Sequence, residues 1–184
     1  MEELGELKRR LETQRPAQWD ALPDLSLYMD QVIGYMPRQL IRYGEEEWLT
    51  SAMVNNYIKD GLLPRAEGKR YSRPHLCYLT AICALKQILP VKDAGMLVGQ
   101  HAGEGAQQMY VRFQTELDKA LDATAGRLDP ELGEEELPAL ALELAMRSYA
   151  DKLACQRVLD LIRRGRPEPQ KKSKKERKEE KQHE

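Results

Sequence analysis

The 184-residue chain reads as a mainly α protein organised around a winged helix-turn-helix with a small β-hairpin wing, then a helical C-terminal region and a disordered charged tail. Three observations predict this. Apolar residues recur at i, i+3 and i+4 in one segment after another, the period of helices with one buried face. In the middle of the chain a helix, a turn, a short helix, a basic segment with hairpin character and another helix follow in order, as in a winged helix-turn-helix. From Gly165 onward, GRPEPQKKSKKERKEEKQHE has no apolar side chain beyond its prolines, so it cannot bury a core.

The elements follow from local signals. Leu4, Leu7 and Leu11 predict an amphipathic helix over Glu2–Thr13, stopped by Pro16, within an N-terminal segment 1–20. Leu25, Tyr28, Met29, Val32 and Met36 predict a helix over 25–36, capped by Asp24 or Ser26. Leu40, Ile41 and Tyr43 suggest an amphipathic turn, and Glu45 to Glu47 a solvated loop.

The stretch LTSAMVNNYIKDGLLPR then carries a short helix. Thr50 or Ser51 serves as its N-cap, and Val54, Tyr57 and Ile58 form its buried face. Gly61 stands where a C′ glycine belongs, and Leu62 and Leu63 return to the core. The segment PRAEGKRYS is too polar for a core strand, and Gly68 with alternating polarity predicts a small exposed hairpin.

Ser72, with Pro74 in the first turn, opens a helix reaching about Leu89, with Leu76, Leu79, Ile82, Cys83 and Leu85 inward and Pro90 as its stop. Residues 93–98 predict a further short helix. Ala106, Met109, Tyr110, Phe113, Leu117 and Leu121 define a stripe over 105–122. Residues 134–164 read as one long helix, acidic at its start and basic at its end, as the helix dipole favours. Its apolar residues cover more than one stripe, which calls for two packing partners, one of them a second copy of the chain. The domain plan is therefore 1–20, 24–99, 103–164 and 165–184.

Composition narrows the function. Hydrophobic residues make up 41% and charged residues 32%, which suits a helical protein with wet outer faces, and the net charge is −1. There is no run approaching the ~20 apolar residues of a membrane span, and no signal-peptide pattern opens the chain, so a cytoplasmic location is the expectation. Cys77, Cys83 and Cys155 form no CxxC pair and read as buried, reduced thiols. His75, His101 and His183 are not placed as paired metal ligands, no phosphate loop or nucleophile motif occurs, and the acidic runs suit a loop and a helix start. No metal, cofactor or enzymatic activity is expected.

Charge distribution says more than the total. From Thr50 to Leu76 the basic residues Lys59, Arg65, Lys69, Arg70 and Arg73 face only Asp60 and Glu67 as acids, a local net of +3. That is the footprint of phosphate contact. With Val54, Tyr57 and Ile58 inward, Ser51, Asn55, Asn56 and Lys59 lie outward. Asn can pair bidentately with adenine, and Ser can bond to bases or phosphates. Glu, Lys or Gln would stabilise a merely solvated helix better than two asparagines. The tail from Arg166 also carries net +3 and reads as a solubilising segment or a nucleic-acid-binding arm.

The pattern LTxxMVNNYxKxGLLPR, followed by KRYSRxHLxxLxxIxxLKQIL, resembles the MerR-like helix-turn-helix group, with its recognition helix S-x-x-T-L-R-Y-Y-E-x-x-G-L-L and its wing R-x-x-x-x-Y-R-x-Y. Thr50, Val54, Tyr57, Gly61, Leu62 and Leu63 stand at matching places. Tyr71 matches the wing tyrosine, and Lys69 or Arg70 its arginine. Asn55 and Asn56 replace the arginine and first tyrosine of L-R-Y-Y, and the cysteine cluster of metal-sensing members is absent. Together with LYMDQVI, these stretches also resemble the bacterial family called domain of unknown function 1836, over about residues 25–98. The resemblance implies a DNA-binding regulator. The expected contact residues are Ser51, Asn55, Asn56, Tyr57, Lys59, Arg65, Lys69, Arg70, Tyr71 and Arg73, on double-stranded DNA, in a homodimer, with a small-molecule or protein effector left open. The other reading is a protein-interaction adaptor that keeps the fold without binding DNA.

Overall fold

A computed structural model describes residues 2–42, 49–99 and 105–165. Helix α1 is Glu2–Thr13, α2 Met29–Tyr35, α3 Ser51–Lys59, α4 Arg73–Leu85, α5 Val91–Gly99, α6 Gly105–Ala125 and α7 Leu137–Gly165. The chain forms two compact units, Met1–Ala139 and Leu140–Glu184. The expected loop at Glu45 to Glu47, the tail, Tyr43 and the histidines at 101 and 183 lie outside the described residues.

Helix α4 is the axis of the first unit. Leu76, Cys77, Leu79, Ala81, Ile82 and Cys83 are all fully buried, together with Thr80, whose hydroxyl donates back to the Leu76 carbonyl at 2.8 Å. A helix buried on so many sides must be surrounded, and α5, α6 and the 3₁₀ turn Met36–Arg38 pack on it. Val32, Met36, Leu49, Val54, Tyr57, Leu63, Tyr71, Val98, Met109 and Tyr110 complete one core.

Helix α1 lies on α6. Arg15 fastens the chain after α1 to α6 through Asp118 at 2.8 Å and Asp122 at 2.5 Å. Next to it, the Ala17 carbonyl accepts from Tyr110 Oη at 2.9 Å and from Gln114 Nε2 at 3.1 Å, while the Ala17 N–H donates to Gln39 Oε1 at 3.1 Å. Helix α6, which the sequence groups with residues 103–164, is thus built into the first unit.

Two expectations are corrected. The first is the start of the second helix: it begins at Met29, and Leu25 is 77% exposed rather than inward. The backbone of Leu27 pairs with Tyr71 in both directions at 2.8 Å, which holds it extended. Tyr28, not Asp24 or Ser26, becomes the N-cap, and Gln31 Oε1 takes its N–H at 2.8 Å.

The second is the β-hairpin wing, which is not present: the described residues contain no strand, only two isolated antiparallel bridges, Leu27↔Tyr71 and Glu67↔Arg70. Gly68 and Lys69 both have positive φ, 55° and 63°, so the chain does reverse in a tight type I′ turn. No ladder follows, because the next bonded pair would be Arg65 with Ser72, and Ser72 already opens α4, its N–H donating to His75 Nδ1 and its carbonyl accepting from the His75 and Leu76 N–H groups. Mainly α is the class observed.

Candidate nucleic-acid interface

Helix α3 is set by cues at both ends. Thr50 is extended (ψ 160°) and its Oγ1 accepts the Met53 N–H at 3.1 Å. At the other end Gly61 takes φ 73°, its N–H reaching the Ile58 carbonyl at 3.1 Å and the Leu62 N–H reaching the Tyr57 carbonyl at 2.8 Å. These two bonds are a Schellman closure, and only glycine adopts that φ without strain.

Between these ends, Val54 and Tyr57 are buried and Met53 and Ile58 half-buried, which turns Ser51, Asn55, Asn56 and Lys59 to solvent. The anchored back fixes the rotation of the helix, so the two amides form an exposed, adjacent pair on a rigid element. Tyr57 does not share that face. The residue is 5% exposed, and burial raises its phenol pKa above the ordinary value, so it holds the helix in place rather than presenting a contact.

The basic segment divides in the same way. Arg65, Lys69 and Arg70 are exposed. Arg70 lies over the Tyr28 ring at 4.8 Å and donates to its hydroxyl at 2.8 Å, a contact created by the Leu27↔Tyr71 bridge. Arg73 turns inward: it donates to the Leu22 carbonyl at 3.1 Å, with its guanidinium 5.6 Å from the Trp19 ring. Tyr71 is 4% exposed, and burial raises its pKa too. Of the ten expected contact residues, Tyr57, Tyr71 and Arg73 are therefore part of the frame behind the surface.

Sequence reasoning missed two residues. His75 is a buried brace: the Ser72 N–H donates to its Nδ1 at 3.1 Å, and its Nε2 lies 3.3 Å from the Arg65 carbonyl, tying the basic segment to α4. The S-x-x-H spacing, a capping box with histidine in the place of Glu or Gln, was the signal. Tyr28 gave no comparable cue, since its contact with Arg70 spans 42 residues.

Among the described residues, no group of three His, Cys, Asp or Glu side chains could hold a metal ion. No helix there is long and apolar enough to cross a membrane.

No curated protein and no solved structure matches the chain. Nothing in these comparisons supports the MerR-like likeness. A family model described as a domain of unknown function (DUF1836) matches residues 17–113. The match is wider than the likeness over 25–98, and its ends have a structural sense. It opens at Ala17, whose backbone is held by Gln39, Tyr110 and Gln114, and closes at Phe113, stacked on Tyr110 at 6.1 Å. Since the match covers more than half of the 184 residues, the chain belongs to the DUF1836 family.

Proposed function

We propose that the protein is a DNA-binding regulator whose contact surface is the outward face of α3 with the basic turn beside it in sequence. The observation that carries this reading is the exposed set Ser51, Asn55, Asn56 and Lys59 on a helix pinned from behind by Val54 and Tyr57. Paired amides cost helix propensity, yet they suit the donor and acceptor edge of adenine in a major groove. Arg65, Lys69 and Arg70 supply exposed charge for phosphates, in a segment of net +3 within a chain of net −1. One short helix reads only a few base pairs, so a homodimer would pair two half-sites.

The test is selection of bound fragments from the host genome, followed by titration of the selected site against salt. Contact with several phosphates predicts a fall of ~0.9 log in affinity per phosphate per log of salt. Asn55→Ala and Asn56→Ala should each lose about 1–3 kcal/mol of discrimination between the selected site and unrelated DNA. Lys69→Ala should weaken all DNA alike. No enrichment of any fragment, with weak binding insensitive to salt, would overturn the reading and favour the protein-interaction adaptor. That second reading has its own support: Arg70 is already engaged by Tyr28, and Leu25 and Tyr28 are exposed close by in sequence.

A further inference from the structure

We propose that α7 pairs with the α7 of a second copy as an antiparallel coiled coil, through Leu142, Met146, Tyr149 and Leu153. The inference gives the homodimer a surface and an orientation. It stands on α7 alone, so it does not depend on DNA binding.

These four side chains are 61%, 54%, 63% and 55% exposed. They are spaced four, three and four residues apart, which is the alternation of a and d positions in a heptad. On a straight helix they fall within an arc of about 60°, so they form one seam. A seam of that period is shaped to take the ridges of another helix. Glu143, Arg147, Lys152 and Arg157 are exposed around it, as expected of a seam with polar flanks.

The identity of the partner comes from self-complementarity. When two α7 helices run antiparallel about a midpoint between Arg147 and Ser148, Leu142 of each copy meets Leu153 of the other, and Met146 meets Tyr149. All four apolar side chains then have apolar partners. Beyond them the next layer pairs Ala139 with Gln156, both exposed, which closes the apolar stretch with a small residue against a polar one.

Charge sets the direction. With Met146 and Leu153 at a, and Leu142 and Tyr149 at d, Glu143, Ala150 and Arg157 occupy e, while Ala145 and Lys152 occupy g. Parallel helices bring each g residue beside the e residue five positions later in the partner, which sets Lys152 against Arg157. Antiparallel helices bring e beside e and g beside g. The acidic end of one e edge, at Glu143, then flanks the basic end of the other, at Arg157, and Lys152 meets Ala145. Only the antiparallel arrangement avoids the cation pair.

The experiment uses the full chain without DNA. Sedimentation velocity across the micromolar range should show a concentration-dependent dimer. Leu153→Glu should raise its dissociation constant at least tenfold. Leu161→Glu, equally exposed at 53% but off the seam, should leave it unchanged. Circular dichroism checks that both variants stay helical.

Orientation is read in a Cys155→Ser background with a short bis-maleimide. Leu142→Cys mixed with Leu153→Cys should cross-link into a heterodimer, while Leu142→Cys alone should not cross-link to itself. A chain monomeric throughout the range, a dimer lost through Leu161→Glu but not Leu153→Glu, or self-cross-linking of Leu142→Cys would each overturn the proposal.

Discussion

Ser72 and His75 close the first turn of α4 on each other, the Ser72 N–H donating to His75 Nδ1 at 3.1 Å. Because Nδ1 accepts, the ring proton sits on Nε2, 3.3 Å from the Arg65 carbonyl. The ring also meets Tyr71 edge-on at 5.5 Å. One buried imidazole thus joins a helix cap, the basic segment and the bridge residue Tyr71.

His75→Ala removes the cap acceptor and the brace on Arg65 together. Losing a cap costs ~1 kcal/mol, and the lost hydrogen bond to the carbonyl of exposed Arg65 adds about 0.5–1.5 kcal/mol. The expected loss is about 1–3 kcal/mol in urea unfolding, with faster amide exchange between Arg65 and Tyr71. An unchanged midpoint would mean that the brace contributes nothing.

How far the sequence foretold this arrangement depends on the range of each signal. Helix α3 was legible in detail because its cues are local: Thr50 before it, Val54 and Tyr57 within it, Gly61 after it. The exposure of Asn55 and Asn56 followed from the same period. The start of α2 was not legible, since a pairing between Leu27 and Tyr71 across 44 positions overrides a helical pattern. The turn at Gly68 and Lys69 was announced by local chemistry, but its continuation into a ladder depended on Ser72, whose N–H and carbonyl are taken by the first turn of α4. The inward turn of Arg73 likewise needed Trp19 and Leu22, far away in sequence.

Gly95 illustrates a constraint that no local pattern carries. A Cβ placed there would lie 2.1 Å from Leu62 Cδ2 and 3.1 Å from its Cγ. Helix α5 thus comes so close to the Leu62 side chain after α3 that a side chain at 95 would force Leu62 to move aside. Gly95→Ala should overpack the contact and cost about 1–3 kcal/mol despite its better helix propensity. Leu62→Ala should be destabilising alone, and the two changes together should cost less than their sum. Simple additivity in a double-mutant cycle would show that the two residues are not in contact.

The N-cap of α3 is a local determinant of stability. Thr50→Ala deletes the acceptor for the Met53 N–H and should cost about 0.5–2 kcal/mol. Thr50→Ser keeps an acceptor and should recover most of it. Hydrogen exchange should show the loss concentrated in the first turn of α3, because the Gly61 closure still holds the other end. Uniform fraying along α3 would mean that the glycine closure, not Thr50, holds the helix.

The buried thiols predict a loss of stability in alkali. Burial pushes Cys77 from an ordinary 9.0 up to about 12, and Cys83 from 9.0 up to about 11. Below pH 9 both are protonated whether the chain is folded or not, and their contribution is fully present. As pH rises above 9, the unfolded chain releases these protons while the native one retains them. Stability then falls by about 1.4 kcal/mol per pH unit for each thiol, until Cys83 and then Cys77 ionise in place. The buried tyrosines Tyr57, Tyr71 and Tyr110 shift in the same direction and extend the fall above pH 10. Cys77→Ala lowers stability at pH 7 through its cavity but should flatten the slope between pH 9 and 11. Urea unfolding at half-unit pH steps reads that slope, and a Cys77→Ala slope equal to the native one would refute the assignment. In native protein near neutral pH, an aromatic disulfide reagent should modify half-exposed Cys155 and reach Cys77 and Cys83 only on unfolding.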